Sequence, residues 1–175
     1  MNRTENSDKS RENIFLIGFM GCGKSTVADF LVRKYGMQRI EMDQQIEKEE
    51  GMTIAQIFAE KGESYFRELE TALLKKLQTQ KNTVVSCGGG TAMREENVQI
   101  MKAQGKIVLL LAEPETIYNR VKNSHNRPLL EGNMNVPYIQ QLLEARMPKY
   151  EAAADVCVHT DGKSMTKICE EVLKK

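Results

Sequence analysis

The chain has 175 residues, with 25 Lys and Arg against 24 Asp and Glu and a formal net charge of +1. That balance leaves no cationic excess of the kind that neutralises a nucleic-acid backbone or an anionic membrane, so neither is an expected partner. The length is that of a single domain, large enough to bury about two thirds of the surface its unfolded chain exposes.

Residues 1–12 are polar, lack the apolar core of a secretory signal and read as a disordered tail. The domain is expected over 13–175. The longest apolar run, Ile107 to Ala112, falls far short of the ~20 residues of a membrane span. Cys22, Cys87, Cys157 and Cys169 show neither CxxC spacing nor a histidine at ligand distance. Reduced thiols in the cytoplasm are expected, with no zinc site and no disulfide framework.

In chain order, apolar runs bounded by turn residues predict strands at Ile14 to Ile17, Gln38 to Met42, Thr83 to Cys87, Ile107 to Ala112 and Val156 to His159. Helical spacing predicts helices at Ser25 to Tyr35, Thr53 to Lys61 with Gln56 completing a capping box, Tyr65 to Gln80 and Glu95 to Gln104. Further helices are predicted at Glu115 to Val121, Val136 to Met147 and Ser164 to Leu173. Strands alternating with helices imply a parallel sheet covered on both faces, an α/β fold whose ligands bind beyond the carboxyl ends of the strands.

Directly after the first strand comes GFMGCGKST, Gly18 to Thr26, matching G-x-x-x-x-G-K-[ST] in the strand-to-helix setting its mechanism requires. Its glycines let backbone N–H groups turn toward phosphates at a helix N-terminus, so Gly21, Cys22, Gly23 and Thr26 are expected around the nucleotide. Lys24 would reach the β- and γ-phosphates and the Ser25 hydroxyl would join a Mg²⁺ shell. The magnesium-holding Asp that often ends a later apolar strand is missing: the run there is VVSCGGG. No DxxG or NKxD marks a GTPase switch, and the chain is too short for a protein kinase.

Glu41 and Asp43 stand where an apolar run gives way to helical spacing. If the strand persists that far, their spacing puts both carboxylates on one face at the active edge. Solvated acids favoured by a helix dipole are the alternative. Arg67 has Glu63 at i−4 and Glu70 at i+3, which fits plain surface pairing. Gly88 to Gly90 are either a flexible turn or a bare backbone that a ligand must approach. The segment NSHNRPLLEGNMN, long for a loop in a compact domain, reads as a lid over about 122–135 and carries Arg127. Arg120 sits in the helix before it, and Arg146 ends a later predicted helix where a cation suits the dipole.

Together, GFMGCGKST, MDQQIE, FRELE, CGGGT, RPLLEGN and RMPKYEAAAD resemble a shikimate kinase, in that family's order and with similar spacing, from about Asn13 to the C-terminus. The resemblance implies a three-layer α/β/α sandwich with a five-stranded parallel sheet of order 2-3-1-4-5, similar to nucleoside monophosphate kinases. It also implies a mobile lid and a small acceptor-binding region over about 42–70. The implied reaction is transfer of the γ-phosphoryl of ATP to the 3-hydroxyl of shikimate by a monomer. Asp43 would orient or deprotonate the attacking hydroxyl, and Arg67 and Arg146 would grip the acceptor carboxylate, with Glu70 holding Arg67. Gly88, Gly89 and Gly90 would complete that pocket, and Phe58 and Phe66 would wall it. Arg127 would reach the transferred phosphoryl group, helped by Arg120 at the nucleotide phosphates.

Two positions depart from the family pattern. Glu41 stands where the family has an Asp that contacts Mg²⁺ through water, and Lys163 is the nearest cation where the family often stacks an Arg on adenine. The rival readings are a kinase for gluconate or nucleotides, and a catalytically silent nucleotide-binding module.

Overall fold

The computed structural model describes residues 12–124 and 128–174. Five strands form one parallel sheet: β1 (Asn13–Ile17), β2 (Gln38–Glu41), β3 (Thr83–Ser86), β4 (Gly105–Leu111) and β5 (Val156–His159). Their order is β2-β3-β1-β4-β5, the order implied by the resemblance. The helices are α1 (Lys24–Tyr35), α2 (Met42–Glu50), α3 (Ile54–Lys61), α4 (Glu63–Lys76), α5 (Glu95–Gln104), α6 (Pro114–Val121), α7 (Val136–Ala153) and α8 (Met165–Leu173).

The apolar strands supply both faces of the sheet by simple alternation. Ile14, Leu16, Val84, Val108 and Leu110 pack with Val27 and Leu31 of α1 and Ile168 and Val172 of α8. Phe15, Ile17, Val85, Ile107 and Leu109 pack with Met42, Ile57, Leu74 and Met101 from α2, α3, α4 and α5. The result is three layers, helices on each side of a sheet whose central strand is buried throughout. Among the described residues no helix is long and apolar enough to cross a membrane.

Element boundaries moved where tertiary contacts outweigh local preference. Strand β2 stops at Glu41, one residue earlier than expected, and Met42 opens α2 with Asp43 in its first turn. The two acids therefore do not share one face of a strand. Helix α7 was expected to end at Met147 but continues through Pro148 to Ala153. Proline costs that helix a backbone hydrogen bond, which burial of Tyr150 and Ala153 in the core offsets. Helix α4 begins at Glu63 and tightens into a 3₁₀ turn at Leu77–Thr79. The capping box of α3 is present as read, with the Gln56 N–H donating to Thr53 Oγ1 at 3.2 Å and the Thr53 N–H to Gln56 Oε1 at 2.9 Å.

Asn13, the first residue of the expected domain and of β1, is a buried seam between strands. Its Nδ2 donates to the Gln80 carbonyl at 2.7 Å, and its Oδ1 accepts from the Thr83 N–H at 3.1 Å. Substituting Asn13→Leu keeps the volume but orphans two buried backbone groups, so it is expected to lower unfolding free energy by about 2–4 kcal/mol in urea titrations. A change under about 0.5 kcal/mol, typical of a surface site, would contradict this role.

Candidate active site

All the loops that carry the candidate residues open at the carboxyl edge of the sheet. The glycine loop follows β1, Glu41 ends β2, Gly88–Gly90 follow β3, and Thr160–Lys163 follow β5. Two cavities lie there. One of about 600 Å³ is lined by the whole Gly21–Thr26 segment together with Glu41, Asp43, Arg120 and Lys163. The other, about 540 Å³, is lined by Asp43, Phe58, Phe66, Arg67, Gly88–Gly90 and Arg146. Met20, Asp43, Gly88 and Gly89 belong to both, so the cavities meet there.

In the first cavity the loop is shaped for an anion. Gly23 adopts a left-handed conformation at the start of α1, as the wrap of the backbone requires. Lys24 Nζ donates to the carbonyls of Gly18 at 2.7 Å and Phe19 at 3.0 Å, which hold it in the loop. Arg120 Nη1 donates to the Gly21 carbonyl at 2.9 Å, placing a second cation at the same loop. The Cys22 thiol is buried, and its N–H is taken by the Phe19 carbonyl at 3.2 Å, so Cys22 borders the cavity without presenting a nucleophile. Ser25, Glu41 and Asp43 offer hydroxyl and carboxylate oxygens at this end, a donor set suited to a hard divalent cation shared with phosphates and water. Among the described residues no three His, Cys, Asp or Glu gather into a closed metal site.

Glu41 is held by Arg39, whose Nη2 donates to Glu41 Oε1 at 2.7 Å while Nη1 pairs with Asp29. Lys163 likewise has a partner, Glu171, at 2.8 Å. The loop bearing Lys163 is tied to α6 through Asp161, which accepts from the Glu113 N–H at 2.9 Å and the Thr116 hydroxyl at 2.6 Å. Burial opposes the Asp161 charge, but those hydrogen bonds and Arg120 outweigh it and hold the carboxyl below its usual range.

The second cavity carries both signs of charge, with the guanidinium groups of Arg67 and Arg146 and the carboxylates of Asp43, Glu47, Glu70 and Glu131 on its lining. Arg67 makes the two ion pairs its spacing suggested, with Glu70 at 2.8 Å and Glu63 at 3.1 Å, and it also faces the cavity. Burial works against its charge, but Glu70 and Glu63 outweigh that and its pKa moves up. Glu70 is 0% exposed, its Oε1 accepting from the Thr91 hydroxyl at 2.6 Å and its Oε2 from Arg67 Nη1. Arg146 Nη1 and the Tyr150 hydroxyl both donate to the Gly89 carbonyl, at 3.2 and 2.5 Å. Phe58 and Phe66 lie with ring centroids 5.0 Å apart on the wall.

Two of the three glycines, Gly88 and Gly90, are required by these side chains. A Cβ on Gly88 would stand 2.7 Å from Glu70 Oε1 and 3.1 Å from Asp43 Oδ1, and one on Gly90 would stand 2.5 Å from Arg67 Nη1. The loop is neither a loose turn nor bare only for a ligand: it is bare because Arg67, Glu70 and Asp43 are packed against it. Asp43 still reaches solvent through the cavities, yet its carboxyl is pushed up to about 6, first by desolvation and then by the charge of Glu70.

Arg127 lies outside the described residues. Of the segment read as a lid, Leu129 and Glu131 line the acceptor-side cavity, and Leu130 is buried in the core. Sequence reasoning missed Met20, at the junction; Glu47, which lines the second cavity and accepts from the Ile54 N–H at 2.8 Å; and Tyr150, hidden behind a proline read as a helix end. It also missed Met165 and Ile168 in the first cavity.

Comparison with known proteins agrees with this geometry. A family model described as shikimate kinase matches residues 20–175. A shikimate kinase of Persephonella marina is 46% identical over 161 residues, covering 92% of this chain and 96% of that protein. One of Dehalococcoides mccartyi is 42% identical over 164 residues, covering 94% and 93%. Among solved structures, the shikimate kinase from Acinetobacter baumannii in complex with shikimate superposes with a TM-score of 0.86 at 32% identity, covering 93% of this chain and 91% of that one. With a glycine loop of phosphate-binding pattern, an arginine-lined cavity beside it and this similarity over nearly its whole length, the chain belongs to the shikimate kinase family.

Proposed function

We infer that this chain transfers the γ-phosphoryl group of ATP to the 3-hydroxyl of shikimate. The observation that carries the reading is the meeting of two cavities at Asp43, one built for phosphates and the other set with guanidinium groups against carboxylates. ATP phosphates enter the Gly21–Thr26 loop, and Lys24 exchanges the Gly18 and Phe19 carbonyls for phosphate oxygens. Magnesium, when bound, neutralises charge on those phosphates, and Ser25 and Glu41 are the residues that would hold its water shell. Arg120 stands by at the loop. Arg127 is assigned to the moving phosphoryl group on the RPLL sequence alone.

On the acceptor side, Arg67 and Arg146 hold the shikimate carboxylate against the Gly88–Gly90 backbone, a task suited to planar guanidinium groups. Phe58 and Phe66 face the ring. This leaves the 3-hydroxyl at Asp43, which accepts its hydrogen bond and aligns the oxygen with the γ-phosphorus. Alignment and charge neutralisation supply most of the rate in such reactions, so a strong base is unnecessary. Every residue in this reading lies on one chain, in keeping with a monomer. The four free thiols are in keeping with the reducing cytoplasm.

The direct check is product identity: phosphorus NMR of the reaction mixture should show a single monophosphate ester at the 3-position, and an ester elsewhere would refute the placement of Asp43. Arg67→Ala is expected to raise the KM for shikimate by the equivalent of about 2–5 kcal/mol while leaving the KM for ATP within about twofold. An unchanged KM for shikimate would rule out the carboxylate grip.

Asp43 sets a pH dependence of its own. With the carboxyl at about 6, kcat/KM for shikimate should fall by about tenfold per pH unit below that value. The folded-state value lies above the ordinary 3.8, so Asp43 favours folding below about pH 4 and that contribution is lost as pH rises through about 6. In the free enzyme Asp43→Asn should therefore raise Tm at pH 7.5, with the gain vanishing toward pH 4, and remove most of the activity. A variant less stable than wild type at pH 7.5 would contradict the electrostatic account.

A further inference from the structure

Behind the acceptor cavity runs a chain of buried hydrogen bonds that no residue in the reading above explains. Asn97, in the first turn of α5, is 1% exposed and lines neither cavity. Its Nδ2 donates to the Thr91 carbonyl at 3.0 Å. Its Oδ1 accepts from the Thr71 hydroxyl at 2.7 Å, and Thr71 in turn accepts from Arg94 Nη1 at 3.0 Å. A carbonyl can only accept, so the Asn97 amide has one orientation here. The Thr91 side chain closes the chain by donating to Glu70, which holds Arg67.

Asn97 thus joins three elements around the second cavity: the segment after Gly88–Gly90, α4 and its own helix α5. Through Thr91 it fixes the segment that follows Gly88–Gly90. Through Thr71 it fixes α4 one turn beyond Arg67, and it ties both to α5, which packs on the same face of the sheet as α4. The Thr71 hydroxyl has one proton and two acceptors in reach, Asn97 Oδ1 at 2.7 Å and the Arg67 carbonyl at 3.2 Å. Without Asn97 the nearer partner is gone and Thr71 turns back to its own helix, so the Thr91–Glu70 bond is left to couple α4 to the loop without the brace from α5. A buried network of this kind fixes geometry only while every member is satisfied.

We propose that Asn97 is a positioning residue for acceptor binding: by bonding Thr71 and Thr91 together it holds Arg67, Glu70 and the Gly88–Gly90 loop in the register that receives the acceptor carboxylate. The proposal rests on the reading of Arg67 as the carboxylate grip. Residues that only stabilise the fold lower Tm without choosing between substrates, whereas a positioning residue for this site weakens one substrate and spares the other.

The test is steady-state kinetics of Asn97→Leu, which keeps the shape and removes both hydrogen bonds. The KM for shikimate should rise by about tenfold, the size of effect a residue touching no ligand exerts through a packed network, with the KM for ATP unchanged. With an acceptor whose carboxylate is replaced by a neutral carboxamide, variant and wild type should give the same KM. Thr71→Val, a milder cut in the same chain, should shift the KM for shikimate in the same direction and serves if Asn97→Leu does not fold. A fall in Tm with both KM values unchanged, or a parallel rise in both, overturns the proposal. Arg67→Ala run alongside separates the failures. If it leaves the KM for shikimate unchanged, the grip reading falls and the proposal with it; if it raises that KM while Asn97→Leu and Thr71→Val do not, only the proposal falls.

Discussion

One buried carboxylate organises the acceptor half of this molecule. Glu70 has no exposed surface, and an ionised group in that position costs several kcal/mol unless it is paired and hydrogen-bonded. Both its oxygens are met, one by Thr91 and the other by Arg67. Those bonds fix the Arg67 guanidinium toward the cavity, where a free arginine would sample many rotamers. They also draw the loop after β3 so close that Gly88 and Gly90 have no room for a side chain. The same negative charge lies near Asp43 and, after desolvation, is the larger reason its carboxyl titrates near 6. Glu70 thus links Arg67, proposed to grip the acceptor, to Asp43, proposed to face its hydroxyl.

The nucleotide half follows a different logic, in which backbone does most of the binding. A strand, a glycine loop and a helix N-terminus direct N–H groups and a dipole at phosphates, and the side chains near them are held by neighbours. The two departures from the family pattern show this. Glu41 accepts from Arg39, so the longer acid stands at the cavity wall under restraint. Lys163 is drawn toward Glu171 on α8 and borders the cavity with Met165 and Ile168, which offer apolar surface to a base.

Much of this was legible in the residues because local rules and tertiary demands coincide there. Apolar runs in β1, β3 and β4 are buried on both faces, the Thr53 capping box starts α3, and the phosphate loop has the strand and helix its spacing requires. Legibility fails where packing overrides a local preference. Pro148 reads as a stop, but Tyr150 and Ala153 have core sites waiting and the helix runs on. Glu41 and Asp43 read as neighbours on one strand face, but Met42 is drawn into the core and starts a helix between them. The glycine triplet suggested either a flexible turn or a backbone bared for a ligand, while side chains from α2 and α4 that only the fold brings near leave Gly88 and Gly90 no room for a Cβ. Arg67 satisfied the surface-pairing pattern and the binding pattern together, and spacing alone does not separate those.

The central claim is that the arginine-lined cavity selects a carboxylated polyol ring and presents one hydroxyl to the phosphate loop. The measurement that reaches it most directly is ADP release from magnesium ATP by the wild-type chain, with shikimate, gluconate and nucleoside monophosphates offered separately. Turnover on shikimate, with kcat/KM at least about a hundredfold above the other acceptors, is the predicted result and corresponds to about 2.7 kcal/mol of discrimination. Turnover on gluconate or a nucleotide with none on shikimate would contradict the account, and ATP binding with turnover on no acceptor would reduce the chain to a silent nucleotide-binding module.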